Sequence, residues 1–317
     1  MGAARYVYFN GSLVPWQEAR VHIFSPLAKY GIGVFEGIRG YWNAEAEEIY
    51  LFRLQEHMRR LDYAQAVMRF ETPFPGESLI EPLIELVRAN RFRETIHARV
   101  QVYLDGEGDV GAVGPAGVAI TAIPRPLPKQ VSEGVSAQVS SWIRISDRSM
   151  PARVKCNANY HNGRLAMLQA RHDGYRAPIL LNMAGKVSEG PSMCLFIVRE
   201  GRPITPSITN DVLESITRRV VLELAREHLG VAPCERDVDR SELYAAEEAF
   251  FCGTGWEVTP VVSIDGLPVG SGRVGPFVRR LQKLYFDVVE GRRSDHAHWR
   301  TPVYRWTPSG TEASVRA

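Results

Sequence analysis

The strongest candidate for a catalytic residue is Lys155, in the segment A-R-V-K-C-N-A-N-Y-H-N-G-R that covers 152–164. Most lysines are solvated surface charges, and that is the default interpretation of any lysine taken alone. Here Tyr160 follows closely, and short polar side chains suited to an ordered turn surround it: Asn157, Asn159 and Asn162. A lysine held in such a turn loses its proton more easily, and Schiff-base chemistry requires a neutral amine. The segment therefore indicates covalent chemistry at Lys155.

Three further features could serve the same chemistry. Glu189 lies in V-S-E-G, Arg53 stands where a strand should give way to a helix, and Gly253-Thr254-Gly255 follows a buried-type strand. Arg53 could be a simple helix-entry charge, but the helix dipole disfavours a cation there, so it is also a candidate for binding an anion.

One ligand, pyridoxal phosphate, would use all these groups. Its aldehyde requires an amine such as Lys155, and its phosphate requires backbone amides, hydroxyls and an arginine. A carboxylate such as Glu189 beside the pyridine nitrogen would keep the ring protonated, which makes it an electron sink. Tyr160 could donate a hydrogen bond to the ring oxygen.

Composition limits the other possibilities. The chain has 317 residues, which favours two domains, and its 38 basic and 36 acidic residues leave a net charge of only +2. We therefore expect no nucleic-acid partner, and no apolar run is long enough to predict a membrane span. Four scattered cysteines without a C-x-x-C pair favour a reducing cytoplasm. The isolated H-x-H motif of His296 and His298 is weak evidence for a metal site, and we expect no bound metal.

The elements that must position these residues can be read from apolar spacing. A strand over Val135–Ile145, a loop broken by Pro151 and a helix over Leu165–Arg171 place Lys155 at an element boundary. Thr209–Asp211 is predicted to cap a helix with a stripe of apolar side chains. Other predicted elements are an Asn10-Gly11 hairpin, strands at Ile49–Phe52, His97–Leu104, Val118–Ile123, Ile179–Met183, Cys194–Val198 and Phe250–Cys252, and helices from Leu54, over Leu79–Asn90 and over Leu281–Val289.

Two regions of the N-terminal half allow more than one interpretation. The glycines of Ser25–Tyr41 could form a phosphate loop, although close backbone packing against a pocket walled by Tyr30 and Phe35 fits the spacing better. The predicted strand His97–Leu104 carries His97, Arg99 and other polar residues on one face. That face is either a half-exposed sheet edge or a site for a substrate carboxylate.

The sequence resembles the branched-chain aminotransferases, which are fold-type IV pyridoxal-phosphate enzymes, over about residues 5–290. The resemblance rests on segments that occur in the family's order: Y-G-I-G-V-F-E-G-I-R (30–39), F-R-L-Q-E-H-M-R-R-L (52–61), S-S-W (140–142), K-x-x-x-N-Y (155–160), V-S-E-G (187–190), I-T-R-R (216–219) and G-T-G-W-E-V-T-P-V (253–261).

The resemblance implies a role for each candidate residue. Lys155 would hold the cofactor as an internal aldimine and move the proton, while Glu189 would pair with the pyridine nitrogen and Tyr160 with the ring oxygen. The implied phosphate ligands are Arg53, Ile216, Thr217 and Thr254, and Leu213 and Ser192 would lie on either side of the ring. The implied substrate-binding residues are Tyr30, Phe35, His97, Arg99, Arg125, Gly253 and Gly255, with Arg99 on the distal carboxylate of glutamate or 2-oxoglutarate.

The chain departs from the family pattern at several positions. His97 replaces a tyrosine, Arg125 an aromatic residue and Ser215 a glycine, and N-A replaces Gly-Gly before Asn-Tyr. His97 and Arg125 make the predicted pocket more polar than a purely aliphatic side chain requires.

The resemblance implies an α+β, two-domain enzyme that transfers an amino group between an L-amino acid, branched-chain or related, and a 2-oxo acid. We expect a small α/β N-terminal domain (1–124), a connector (125–134) and a large β-rich C-terminal domain (135–317) whose tail from about 291 lacks periodicity. Family members are dimers or larger homo-oligomers with the cofactor between domains. The alternatives are a D-amino-acid or (R)-amine transaminase, an aminodeoxychorismate-type lyase, a pathway-specific aminotransferase of secondary metabolism, and a binding protein that has lost the chemistry.

Overall fold

The computed structural model describes residues 4–307, which divide into two compact units. Among the described residues, the first unit comprises 4–29, Phe35–Pro126 and 288–307, and the second comprises Tyr30–Val34 and Leu127–Asp287. The chain thus leaves the first unit at Pro126. The C-terminal segment groups with the first unit, whereas the division expected from sequence placed it in the C-terminal domain.

The strands are β1 (Tyr6–Phe9), β2 (Ser12–Pro15), β3 (Gly33–Asn43), β4 (Glu48–Phe52), β5 (Ile96–Leu104), β6 (Ala116–Pro124), β7 (Val135–Val139), β8 (Ala177–Ile179), β9 (Cys194–Arg199), β10 (Arg202–Pro206), β11 (Cys234–Arg236), β12 (Glu248–Gly253), β13 (Glu257–Ile264), β14 (Leu267–Pro268) and β15 (Arg300–Pro302). The helices are α1 (Pro26–Tyr30), α2 (Leu54–Val67), α3 (Ile80–Asn90), α4 (Gln130–Glu133), α5 (Asn159–His172), α6 (Ile216–His228) and α7 (Pro276–Val289). Short 3₁₀ helices cover Trp16–Glu18, Gly76–Leu79, Arg240–Ala245 and Ala297–Trp299.

The first unit is built on a seven-stranded sheet in the order β15-β4-β3-β5-β6-β1-β2. The predicted Asn10-Gly11 hairpin is confirmed, since β1 and β2 pair across it. The glycine-rich run, predicted without a strand of its own, forms most of the long strand β3. Close backbone packing there is confirmed at Gly40, where a Cβ atom would lie 2.7 Å from Cγ1 of Ile96.

β15 explains why the C-terminal segment belongs to the first unit. This strand pairs antiparallel with β4, with Arg300 opposite Phe52. The buried carboxylate of Glu48 then accepts hydrogen bonds from the backbone amides of Val303 and Tyr304 at 2.9 and 2.7 Å. Pairing of such short strands depends on partners distant in sequence, so apolar periodicity did not reveal it.

The second unit contains an eight-stranded sheet whose main order is β11-β10-β9-β12-β13-β7-β8, with β14 paired to β13. β9, β12 and β13 are antiparallel neighbours, whereas β7 runs parallel to both β13 and β8. Buried apolar side chains on these strands form its core, among them Leu195, Ile197 and Phe251. The buried strands end near the loops that carry the candidate residues.

Several predicted boundaries around the site are wrong. The strand predicted over Val135–Ile145 ends at Val139, because Ser140 turns the chain and its Oγ accepts from the amide of Trp142 at 3.1 Å. The helix predicted from Leu165 begins at Asn159, so Tyr160 lies in its first turn and only Asn157 of the three asparagines remains in the preceding loop.

Among residues 4–307, the helices are all too short or too polar to cross a membrane.

Candidate active site

Lys155 lies in the second unit, just before α5, and the two residues that follow it form backbone contacts with Gly33 and Val34. The amide of Asn157 donates to the carbonyl of Gly33 at 2.9 Å, and Cys156 forms a β-bridge with Val34. Cys156 and Val154 are buried, while Lys155 between them is half-buried. This alternation directs the lysine side chain away from the core that its neighbours fill.

The Lys155 amine contacts Tyr160, the tyrosine that the sequence places five residues after it. Nζ donates to the Tyr160 hydroxyl at 2.6 Å and lies 5.2 Å from the ring centroid. The first turn of α5 that carries Tyr160 is held by Asn159, whose side-chain amide donates to the carbonyls of Pro151 and Val154 at 3.0 Å. A phenol and an amine at this distance can share a proton with a ligand bound between or beside them.

Glu189 is buried and ion-paired. Its Oε1 lies 2.8 Å from Nη2 of Arg144, and its Oε2 lies 3.7 Å from the Cys194 thiol. Burial raises the pKa of the Glu189 carboxyl, while the charge of Arg144, a hydrogen bond from the Leu213 backbone and the Cys194 thiol oppose that rise. The Lys155 charge acts on the same carboxyl in the same direction as Arg144, which brings the two predicted residues into one electrostatic neighbourhood.

Sequence reasoning missed Arg144, which we group with Lys155, Tyr160 and Glu189 as the lysine site. A signal was present, because Arg144 is the one charged residue in the segment Val135–Ile145, and charged side chains are seldom found in a buried strand. The run was assigned to a strand throughout, which concealed that Arg144 stands in a loop beside the site.

The start of α6 offers an anion site in the same unit. Ser215 is the N-cap, and its Oγ accepts from the amide of Arg218 at 3.2 Å. The cap predicted at Thr209–Asp211 is therefore wrong, because those residues form a turn before the helix. Ile216 and Thr217, the first two helical residues, are buried, and the amides of a helix N-terminus favour phosphate or carboxylate.

The turn between β12 and β13 packs against the loop that follows Glu189. The indole Nε1 of Trp256 donates to Oγ of Ser192 at 3.2 Å, and a Cβ atom on Gly253 would lie 3.1 Å from the Ser192 carbonyl oxygen. Thr254 and Gly255 are half-buried within this turn. The glycine thus permits a close approach that a larger residue would hinder.

The first unit presents what we call the polar sheet face, formed by Phe35 of β3 and by His97, Arg99 and Gln101 of β5. The Arg99 guanidinium lies 3.5 Å from the Phe35 ring centroid, and its Nε donates to Gln101 at 3.0 Å. The His97 ring covers Gly37, where a Cβ atom would lie 3.0 Å from Nε2. The interpretation of this face as a sheet edge is wrong, because β5 lies between β3 and β6.

Arg125 and Tyr30 belong to different units. The carbonyl of Arg125, just after β6, accepts from Nη1 of Arg39 at 2.8 Å, which holds its backbone to β3 in the first unit. Tyr30, at the end of α1, belongs to the second unit and is 43% exposed.

Arg53 stands where the sequence predicted, immediately before α2 in the first unit, with a left-handed φ of 53°. Its guanidinium stacks on Trp299 at 3.7 Å from the ring centroid, and Nη1 pairs with Glu56 at 2.7 Å. Burial raises the pKa of Glu56, but its hydrogen bond with Arg53 and the charges of Arg53 and Arg59 lower it overall. The first-turn acid thus supplies the negative charge that the helix start favours.

Of the predicted residues, Phe35, Arg53, His97, Arg99 and Arg125 belong to the first unit and all the others to the second. Within the second unit, contacts link Lys155 to Tyr160, Glu189 to the Leu213 loop, and Ser192 to the glycine turn.

Comparisons with known proteins agree on one family. Residues 33–264 match the family model described as amino-transferase class IV. The branched-chain-amino-acid aminotransferase of Escherichia coli strain K12 is 35% identical over 307 residues, covering 95% of this chain and 98% of that protein. The Salmonella typhimurium protein of the same name is 36% identical over 307 residues, with the same coverage of both chains.

Solved structures agree with the sequence relatives. A crystal structure of the branched-chain aminotransferase from Thermoproteus uzoniensis with norvaline superposes with a TM-score of 0.89 at 40% identity, over 94% of this chain and 99% of that one. The Thermobaculum terrenum branched-chain amino acid aminotransferase in its PLP-form reaches a TM-score of 0.90 at 41% identity, over 96% and 99% of the two chains.

Proposed function

The chain belongs to the class IV aminotransferases and is a pyridoxal-phosphate-dependent aminotransferase, and from that premise we propose which reaction it catalyses and with which residues. It transfers the amino group of a branched-chain or related L-amino acid to a 2-oxo acid, with glutamate and 2-oxoglutarate as one of its substrate pairs. The observation that carries this proposal is the lysine site, where a reactive amine, a phenol and a buried ion-paired carboxylate occur in one unit.

The residues present fit pyridoxal phosphate. Lys155 would bind its aldehyde carbon, Glu189 its ring nitrogen and Tyr160 its ring oxygen. The amides of Ile216 and Thr217, with Thr254 and Arg53, would hold its phosphate, because a capped helix start is suited to an anion. Leu213 and Ser192 would cover the two sides of the ring. When bound, this cofactor supplies an electron sink that weakens the bond between the substrate's α-carbon and its hydrogen.

The side chains of the lysine site would then handle protons. The Lys155 amine, once released by substrate, would be the base that takes the proton from the substrate α-carbon and delivers it to carbon C4′ of the cofactor. Tyr160, within hydrogen-bond distance of that amine, orients it. Glu189 contributes negative charge at a fixed position rather than a proton transfer.

We assign the substrate side chain to the polar sheet face. The Phe35 ring can contact an apolar side chain, while the Arg99 guanidinium beside it can bind the distal carboxylate of glutamate or 2-oxoglutarate. His97 and Arg125 add polarity, so side chains with a polar group should also be accepted. The Gly253–Gly255 turn would receive the α-carboxylate through backbone amides, and Tyr30 would line the pocket.

We also propose a cytoplasmic location and assembly as a homodimer or larger homo-oligomer. Four free cysteines, three of them buried, favour a reducing compartment. Sedimentation of the purified protein would test the assembly, and a monomer at working concentration would contradict it.

A donor and acceptor panel on the purified, cofactor-loaded protein tests the proposed reaction. We expect L-leucine, L-isoleucine or L-valine to transaminate 2-oxoglutarate, and borohydride to fix the cofactor on the peptide that contains Lys155. Turnover confined to D-amino acids or (R)-amines would assign the reaction of the alternative transaminases instead, and a protein without any transamination would overturn the proposal.

A further inference from the structure

We propose that Arg144 is a positioning residue that keeps the Glu189 carboxylate charged and aimed for the pyridine nitrogen of the cofactor. This inference rests on the proposed function, because it gives Glu189 its partner on the bound ring. Arg144 would not touch the reacting atoms; it would act through Glu189.

The geometry of Arg144 is that of a built ion pair. Its guanidinium is buried together with the Glu189 carboxylate, and Nη2 lies 2.8 Å from Oε1. Its backbone amide donates to the carbonyl of Leu181 at 2.8 Å, and its Nε donates to the carbonyl of Asp211 at 3.2 Å. The side chain is therefore anchored at several points and has little freedom to turn away from Glu189.

The hydrogen bond to the Asp211 carbonyl connects Arg144 to the loop that contains Leu213 and Ser215. Asp211 has a left-handed φ of 58°, and the loop it begins leads through Leu213 to the Ser215 cap. The Leu213 backbone in turn hydrogen-bonds to Glu189. One guanidinium thus fixes both the carboxylate and the loop that would cover the cofactor ring.

The other groups that face Glu189 cannot replace Arg144. The Cys194 thiol is a weak donor at 3.7 Å and carries no positive charge. The Lys155 amine is cationic only when protonated, and it is the group that reacts, so its charge changes during turnover. A guanidinium, by contrast, keeps its charge throughout the pH range in which enzymes work.

Removing the Arg144 guanidinium would leave the buried Glu189 carboxylate without the positive charge that compensates it. Such a group takes up a proton rather than remain charged in a desolvated position. A neutral Glu189 could not hold a proton on the pyridine nitrogen, and the electron sink would weaken. Arg144 would thus act on the chemistry through the charge state of its neighbour.

The test uses the full chain with Arg144→Met, Arg144→Lys, Glu189→Gln and the Arg144→Met/Glu189→Gln pair. In the cofactor-free protein, the melting temperature of Arg144→Met should fall more steeply than that of wild type as pH rises from about 5 to 9. In Arg144→Met, the pKa of Glu189 should be higher in the folded protein than in the unfolded protein. Such a group stabilises the fold at low pH, and that stabilisation is lost as pH rises through the folded-state pKa. Adding Glu189→Gln should abolish this extra slope. An unchanged slope in Arg144→Met, or one that survives Glu189→Gln, would overturn the proposal.

The loaded enzyme gives a second measurement. Arg144→Met should bind pyridoxal phosphate about tenfold more weakly. The pH optimum of its activity should shift to higher pH, where a larger fraction of Glu189 is charged. Arg144→Lys should recover most of the affinity because it restores the cation. Arg199→Met, which removes a half-exposed ion pair with Glu242 in the same unit, should leave both properties unchanged. Affinity and pH profile equal to wild type in Arg144→Met would contradict the role.

Should Arg144→Met fail to fold, Arg144→Gln, which keeps a polar side chain but removes the charge, takes its place in both measurements with the same expected results. Glu189→Gln should lose cofactor affinity at all pH values. Borohydride trapping at Lys155 in wild type checks the proposed function separately. Trapping elsewhere would overturn that function, whereas trapping at Lys155 with no effect of Arg144 would overturn this inference alone.

Discussion

The lysine site and the polar sheet face use different kinds of interaction to place their functional groups. At the lysine site, Lys155 is held by backbone hydrogen bonds and Glu189 by a buried ion pair of 2.8 Å. On the polar sheet face, Arg99 stacks on Phe35 and donates a hydrogen bond to the uncharged amide oxygen of Gln101. The first arrangement pairs a carboxylate with an opposite charge, whereas the second places a cation against an aromatic ring and a neutral amide.

This difference suggests how the two regions divide the work. A proton transfer requires that the donor and acceptor atoms be positioned to within a few tenths of an ångström. The lysine site therefore benefits from rigidity. A pocket that accepts both an apolar side chain and a carboxylate benefits from a side chain that can move between partners. Substitutions should therefore affect rate at the lysine site and selectivity on the polar sheet face.

The largest effect should come from Lys155→Ala. Turnover of every donor should fall by about a thousandfold or more, because the only proposed base is removed. Initial rates across the donor panel measure this, with Lys186→Ala as the matched control, since Lys186 pairs with Asp239 at the surface of the same unit. Full turnover in Lys155→Ala would refute the assignment of the lysine site.

A large effect on stability is expected beneath the polar sheet face, where Glu36 of β3 is buried against His57 and Arg60 at 2.7 Å. Glu36→Gln should lower the free energy of unfolding by about 3 kcal/mol, because it removes the buried negative charge that pairs with the Arg60 guanidinium and hydrogen-bonds to His57. Denaturant titration measures the change. Glu47→Gln, whose ion pair with Arg93 is 70% exposed on both sides, should change little.

The same carboxylate predicts a pH dependence. Burial raises the pKa of Glu36, but the charge and hydrogen bonds of Arg60 and His57 lower it to about 2, from an ordinary value of 4.5. Because the folded pKa is depressed, its stabilisation is complete above 4.5 and is lost as pH falls toward 2. Wild type should lose stability across that interval more steeply than Glu36→Gln, and equal acid sensitivity would argue against the pairing.

Arg99→Leu should separate the two regions most clearly. The value of kcat/KM for 2-oxoglutarate should fall by about 10- to 100-fold, the range for losing hydrogen bonds to a charged group, while an apolar 2-oxo acid should be nearly unaffected. Arg93→Leu, an exposed arginine of the same unit, is the control. Equal losses for both acceptors would show that Arg99 acts on structure rather than selectivity.

The smallest of these effects is expected for Tyr160→Phe. Removing the hydroxyl that lies 2.6 Å from Lys155 Nζ should reduce turnover by about tenfold for all donors alike, since one hydrogen bond to a charged group is lost. Tyr244→Phe, which loses a partly exposed hydrogen bond to Asp265, is the control. A loss restricted to one donor would place Tyr160 in substrate selection instead.

The errors of sequence reasoning share a cause. The strand predicted over Val135–Ile145 runs past the end of β7 at Val139 into the loop that carries Arg144, and the cap predicted at Thr209–Asp211 falls on a turn that contacts Arg144 through Asp211. Both predictions relied only on residues adjacent in sequence. Arg144 was missed for the same reason. Its partner Glu189 lies far along the chain, and no local pattern reports a long-range ion pair.

The residue types at Lys155, Tyr160, Glu189 and the Gly253–Gly255 turn indicated pyridoxal phosphate as one ligand that would use them all, and the resemblance of seven segments to the branched-chain aminotransferases made that prediction specific. Apolar spacing was enough to predict most strands and helices, because burial of one face is a local constraint. Only the tertiary structure decided that β5 is an interior strand, that Ser215 caps α6 and that Arg144 is the partner of Glu189. Those facts depend on which distant segments pair, and pairing is decided by packing and charge compensation across the whole unit rather than by neighbours in sequence.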